Sequence, residues 1–339
     1  MLPTPTSVPP QLRDSHGRAL RDLRISITDR CNYRCVYCRD GEEGTSYSEL
    51  SNEEYLRLIT LFIPLGITKV RLTGGEPLLR HGLVDLVAEI ATLRTLFGEA
   101  PDIAITTNGH LLESLAAPLK NAGLRRATIS MDAVDAPNFE AITRVPRSFE
   151  RVLAGIRAAK AAGLEPVKIN CVLLRGFNDN QIEGFARFAQ QENVIVRFIE
   201  FMPLEEGRFW SRDLVIPIDE LVGRLSRVAP LVELPPNEAG ETAIRFGFKD
   251  GPGEIGIIAP VSRAFCGACS RLRLTSDGKI RTCLFSQVEH DLYGRMRAGL
   301  NDEELRSYII RVAQQKEQRH HIGEPGFLKP SRSMVHIGG

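Results

Sequence analysis

Two groups of three cysteines dominate the chemistry open to this chain. Cys31, Cys35 and Cys38 stand in C-x3-C-x2-C spacing, and Cys266, Cys269 and Cys283 in C-x2-C-x13-C. The first spacing lets one short loop wrap its three thiolates around a compact metal centre. Three is the informative number: an electron-transfer 4Fe-4S cluster takes four cysteines, so three local ligands leave one iron open to bind a substrate. The alternative is zinc, whose structural sites close with four ligands, and no His or Cys stands near enough to the first triad to be the obvious fourth. For the second triad His290 could complete C-x2-C-x13-C-x6-H, so zinc stays open there on spacing alone. The seventh cysteine, Cys171, has apolar neighbours and reads as a buried core thiol.

The elements that must position these thiols alternate. Strands read at Leu23 to Thr28, Lys69 to Leu72, Ile103 to Thr106, Ala127 to Met131, Val167 to Leu173 and Val194 to Phe201. Between them run amphipathic stretches, one opened by a capping box at Ser51-Asn52-Glu53-Glu54 and stopped at Gly66. Others lie near Leu83 to Leu96, Leu111 to Ala122, Phe149 to Ala162 and Gln181 to Gln191. Such βα alternation implies an α/β fold with a parallel sheet. Cys31 to Cys38, Gly74-Gly75-Glu76, Thr107-Asn108-Gly109, Ser130 with Asp132, and Glu200 with Met202 all follow carboxyl ends of strands. In a βα-barrel those ends share the face where active sites form. The expected architecture is an incomplete (βα)6 TIM-like barrel with a smaller C-terminal cluster-binding region. Gly74 and Gly75 taken alone are a tight turn; at a strand's carboxyl end they also let backbone approach a ligand.

With 43 Lys+Arg against 42 Asp+Glu, 43% hydrophobic and 25% charged residues, the 339-residue chain is a globular one without a global field. No nucleic-acid or membrane partner is implied, and an anion site must be local. An odd seven cysteines in clusters argues against a disulfide framework and for a reducing, cytoplasmic setting. The opening MLPTPTSVPPQ reads as a flexible extension, not a signal peptide. The expected division is residues 1–14 as extension, 15–235 as barrel core, 236–327 as the C-terminal region and 328–339 as a tail ending in Gly-Gly. Several cations sit on strands of the sheet: Arg24, Arg71, Lys168 and Arg197. Unless they lie at solvated strand ends, such charges need carboxylates or a bound anion.

CNYRCVYC after one strand and TGGEP after the next resemble the radical S-adenosylmethionine (SAM) superfamily. The resemblance implies that Cys31, Cys35 and Cys38 hold a 4Fe-4S cluster whose open iron chelates SAM, which reduction splits to a 5'-deoxyadenosyl radical. It further implies SAM contacts at Tyr37, Gly75, Ser130 and Met202. FCGACSRLRLTSDGKIRTCL resembles the C-terminal region of the GTP 3',8-cyclases of molybdenum cofactor biosynthesis. There the second three cysteines, matching Cys266, Cys269 and Cys283, hold a second 4Fe-4S cluster that binds the purine of GTP. In that branch Arg24, Arg71, Thr106, Lys168, Arg271, Leu272 and Arg273 match GTP-contacting positions. The tail from Arg332 to Gly338 and Gly339 resembles one that reaches back into the active site; the alternative is a disordered terminus. Arg24, Arg271, Arg273, Gly338 and Gly339 are the implied catalytic set.

The function implied by this resemblance is a SAM-dependent lyase that cyclises GTP to the 3',8-cyclo-7,8-dihydroguanosine triphosphate. An external electron donor and a functional link to the cyclic pyranopterin monophosphate synthase go with it. The resemblance also admits a homodimer. Two rivals remain: a radical SAM peptide modifier with an auxiliary cluster, and a zinc-dependent RNA- or protein-binding module.

Overall fold

The structure, a computed structural model, describes residues 11–38, 49–205, 209–332 and 334–337. Six parallel strands run in chain order: β1 (Asp22–Ser26), β2 (Lys69–Thr73), β3 (Asp102–Thr107), β4 (Arg126–Ser130), β5 (Lys168–Leu173) and β6 (Ile195–Glu200). Helices α1 (Asn52–Phe62), α2 (Leu83–Thr92), α3 (Leu112–Asn121), α4 (Ala136–Thr143), α5 (Ser148–Ala161), α6 (Ile182–Glu192) and α7 (Ile218–Leu225) connect and follow them. The capping box forms as the sequence expects: Ser51 accepts from the Glu54 amide at 3.2 Å, and Glu54 accepts from the Ser51 amide at 2.9 Å. Gly66, in the left-handed region at φ +100°, ends the turn that extends α1. Helix α4 was not expected; Asp135 caps it and a proline opens it.

The C-terminal part adds β7 (Leu231–Leu234), β8 (Ile244–Phe248), β9 (Glu254–Ile258), β10 (Arg271–Leu274), β11 (Lys279–Arg281) and β12 (His290–Asp291), then α8 (Tyr293–Arg297) and α9 (Asp302–Ala313). The sheet order is β12-β11-β10-β1-β2-β3-β4-β5-β6-β9-β8-β7. Strand β10 pairs in parallel with β1, and β9 in parallel with β6, so the later residues flank the six-strand array on both sides. One loop between β9 and β10 thus links its two ends.

Polar and apolar residues alternate along the parallel strands, which is unusual where both faces are covered. Leu23 and Ile25, Val70 and Leu72, Ile103 and Ile105, and Val196 and Phe198 are buried in the apolar core. Truncating one of them to Ala would cost about 2–5 kcal/mol. Their neighbours Arg24, Arg71, Thr106 and Arg197 line a cavity on the other face. Residues from β1 to β6, β9 and β10 all line this cavity, so the sheet curls around it. A closed TIM barrel packs its interior solid with branched side chains; here the interior is a hollow chamber into which arginines, thiols and hydroxyls project among apolar side chains.

The expected extension needs correcting. Residues 1–10 of the expected extension lie outside the described residues, but Leu12 and Asp14 are buried and so not loose. Leu12 pairs through its amide with the Leu65 carbonyl at 2.7 Å. The end of the chain is likewise held: Arg332 forks onto Asp277 at 2.8 and 2.9 Å, and Ile337 is fully buried beside Leu204, Phe285 and Ile322. Gly338 and Gly339 lie outside the described residues.

Candidate active site

Both cysteine triads line the same cavity, of about 300 Å³. The first rides on the loop after β1, which rests on two supports. Gly75 and Glu76 amides donate to the Thr28 and Arg30 carbonyls at 2.8 and 2.7 Å, and Arg34 and Val36 amides donate to carbonyls at the end of α4. A Cβ on Gly74 or Gly75 would lie 2.2 Å from the Thr28 or Arg30 oxygen. These glycines therefore seat the cysteine loop on the end of β2, a structural demand beyond any approach to a ligand.

Glu76 faces inward to the neighbouring loop, accepting from the Leu78 and Asn108 amides at 2.9 and 2.6 Å and the Thr107 hydroxyl at 2.6 Å. Burial pushes its carboxyl up to about 7 against the lowering effect of those three bonds. Tyr37, inside the triad, donates to Asp132 at 2.6 Å, while Asp132 also accepts from the Val172 amide at 2.8 Å. Burial raises Asp132 to about 6 and the Cys35 thiol well above its usual range. Ser130 and Met202 line the same cavity. Glu200, by contrast, turns away to bind the Val261 and Ser262 amides at 2.7 and 2.9 Å, holding the loop after β9.

The second triad is built by β10 and its flanks. Arg18 ties Cys266 down: its guanidinium donates to the carbonyls of Cys266 and Gln318 at 2.8 Å each and of Glu317 at 2.6 Å, and pairs with Asp14 at 2.5 Å. Arg271 donates to the Cys269 sulfur through Nε and Nη2, at 3.4 and 3.3 Å. Lys316, buried, donates to the carbonyls of Arg271, at 3.0 Å, and Thr282. Burial pushes the Cys269 thiol up, but Arg271 and Lys316 outweigh it and bring it to about 6; burial raises Cys283.

Such a donor set fits iron-sulfur ligation, because a 4Fe-4S cube spreads its thiolates over separate irons. Among the described residues no three His, Cys, Asp or Glu side chains are placed to hold a single metal ion. His290, on β12 beside Ile280, does not line the cavity that the second triad lines. Cys171 is buried on the outer, apolar face, as expected of a core thiol.

Arg24, Arg71 and Arg197 point into the chamber instead of lying at solvated ends, while Lys168, the first residue of β5, faces a second space. Register places Arg24 between Arg71 and Arg273 on adjacent strands. Arg71 donates to Thr106 and Thr128 at 3.1 Å each, and Arg197 to Asn170 at 3.0 Å. Burial, then the charges of Arg271 and Arg71, lower Arg24 to about 9; burial lowers Arg71 and Arg197 to about 10 and Lys168 to about 8. A second space of about 90 Å³ at the strands' amino ends shares Arg24, Arg71, Arg197 and Arg271 with the first. Its lining holds seven cations (those four with Lys69, Arg126 and Lys168) against four carboxylates, Asp22, Asp102, Glu238 and Glu241. An enclosed excess of positive charge is stabilised by a bound polyanion.

The Leu272 side chain is fully buried in the core, so a contact with a ligand at this position falls to its main chain. Arg273 donates to the Ile337 carbonyl at 3.1 Å, and Met334 lines the cavity, so the tail does reach the site. Sequence reading missed Arg18, Lys316, His320 and Asn170. A lone basic residue on a polar stretch carries no local sign that it faces inward; for Asn170 the signal was its two-residue spacing from Lys168.

Residues 25–189 match the Radical SAM superfamily profile and residues 194–322 that of Molybdenum Cofactor Synthesis C. The chain is 43% identical over 320 residues to the GTP 3',8-cyclase of Acidothermus cellulolyticus, covering 91% of this chain and 87% of that one. It is 41% identical over 333 residues to the GTP 3',8-cyclase of Thermodesulfovibrio yellowstonii, covering 97% and 100%. Among solved structures, Streptococcus suis SuiB bound to S-adenosylmethionine has a similar fold, with TM-score 0.58 and 15% identity. That match covers 81% of this chain and 64% of the other.

Proposed function

This chain belongs to the GTP 3',8-cyclases of the radical SAM superfamily, and from that premise we propose how its cavity divides the work. The reaction is the SAM-dependent cyclisation of GTP in molybdenum cofactor biosynthesis, with two 4Fe-4S clusters. The observation that carries the residue roles is that two triads of cysteines and rows of arginine line one chamber.

Cys31, Cys35 and Cys38 would hold the cluster that takes SAM, and Cys266, Cys269 and Cys283 the second. When bound, these groups would supply a carbon-centred radical by reductive cleavage of SAM and an iron free to bind the nucleotide. Tyr37, braced by Asp132, holds its ring against SAM, with Gly75, Ser130 and Met202 completing that pocket. Arg24, Arg71, Thr106 and Lys168 take the triphosphate, where planar forks and a compact ammonium suit phosphate oxygens. Arg271 and Arg273 orient the nucleotide beside the second triad. The docked tail covers the chamber and excludes water, and the catalytic assignment of Gly338 and Gly339 rests on the family resemblance.

An external electron donor, cytoplasmic location, a homodimer and consumption of the product by the cyclic pyranopterin monophosphate synthase complete the proposal. No helix among the described residues is long and apolar enough to cross a membrane. The test is an anaerobic assay with reductant, SAM and GTP deuterated at C2', C3' or C4' in separate samples. Label passing from C3' into 5'-deoxyadenosine with formation of the cyclised triphosphate is expected; label transferred only from C2' or C4' would overturn the assignment of roles.

A further inference from the structure

His320 lies four residues beyond Lys316, past the end of α9, and lines the main cavity with Cys266, Cys269 and Arg271. Both ring nitrogens are buried, and among the described residues neither has a hydrogen-bond partner. The ring is nonetheless held, packed on Phe285 with centroids 5.3 Å apart and planes at 60°. Two unbonded, buried nitrogens on one ring are uncommon in a folded protein, because each leaves its desolvation cost unrecovered. Burial, followed by the charges of His321, Arg271 and Arg319, lowers this imidazole to about 4. Near neutral pH it is therefore uncharged and offers one N–H donor and one acceptor.

A neutral ring adds nothing to a wall of cations and does not balance thiolate charge. What it can serve is a flat, neutral partner with donors and acceptors along an edge. In GTP the phosphates have their cations: Lys168 and the shared arginines face the space at the strands' amino ends, which His320 does not line. The first cysteine loop is assigned to SAM. The lining around Cys266, Cys269 and Arg271 is what remains for the base.

We infer that His320 is a base-positioning residue: its imidazole bonds the edge of the guanine beside the second cysteine triad. This rests on the cyclase reading, and the test separates the two. In the anaerobic assay His320→Ala should raise the KM for GTP about tenfold, the loss expected for one buried hydrogen bond. The KM for SAM should stay within about twofold, and kcat should fall less than the KM rises. His320→Gln, which keeps a donor and an acceptor, should recover at least half of the lost affinity. An unchanged KM for GTP at full iron content would overturn the inference, as would an equal rise in the KM for SAM. Loss of iron from both variants would make His320 a structural residue and overturn it too. Failure of the unmodified enzyme to turn over GTP would instead sink the cyclase reading.

Discussion

Arg18 offers the sharpest test of how the second cysteine triad is held. Its guanidinium binds three carbonyls, two of them on a segment about 300 residues later in the chain, at 2.6 to 2.8 Å. It also pairs with Asp14, and the two side chains are 7% and 0% exposed. Arg18→Ala leaves a buried carboxylate facing no cation, a change that costs about 3–5 kcal/mol. For a chain of this size that corresponds to a fall in Tm of about 4–7 °C. Asp14 would keep two amide donors, from His16 and Arg18, both at 2.9 Å, which places the loss toward the lower end. Removing both charges, as Arg18→Met with Asp14→Asn, avoids the orphan charge. The double variant should thus be about 1–3 kcal/mol more stable than the sum of the single losses. Because the fork grips the Cys266 carbonyl, iron should fall from about eight to about four atoms per chain in Arg18→Ala. Anaerobic thermal melts with iron analysis measure both effects. An Arg18→Ala protein that keeps full iron and melts within about 2 °C of the parent would refute the reasoning.

Three further outcomes follow from named contacts. Gly75→Ala should displace the first cysteine loop, since the new Cβ would sit 2.2 Å from the Arg30 oxygen; the expected result is loss of SAM cleavage and of about half the iron. Glu76 has its carboxyl raised from 4.5 to about 7, so its contribution to stability is full below pH 4.5 and is lost as pH rises through 7. Glu76→Gln should flatten that decline by about 2–3 kcal/mol in melts compared at pH 5 and pH 8, and an unaltered slope would contradict the assignment. Arg332→Ala breaks the fork onto Asp277 at 2.8 and 2.9 Å, and Glu289 loses one partner at 2.8 Å while keeping Arg281 at 2.7 Å. The tail should detach, so cyclised product should fall at least tenfold while SAM cleavage in the absence of product persists; unchanged coupling of the two would show the docked tail to be dispensable.

Much of this site is written locally. The spacing of Cys31, Cys35 and Cys38 lies within one loop, and the box at Ser51 and Glu54 and the stop at Gly66 depend on neighbours three or four residues away. Strand periodicity also carried more than was read from it: Arg271 and Arg273 facing the chamber require Leu272 to face the core, because successive strand side chains point to opposite faces. What the sequence by itself determined was therefore the inventory, six βα units with three thiols at each of two places and cations on the strands. Only the tertiary structure decided that the triads share one cavity, that β9 and β10 flank β6 and β1, and that Arg18, Lys316 and His320 meet around Cys266 and Cys269. Periodicity and caps report interactions within a few residues along the chain. Convergence of groups hundreds of residues apart depends on strand order and on the curl of the sheet, which arise when the apolar face of every strand is buried at once.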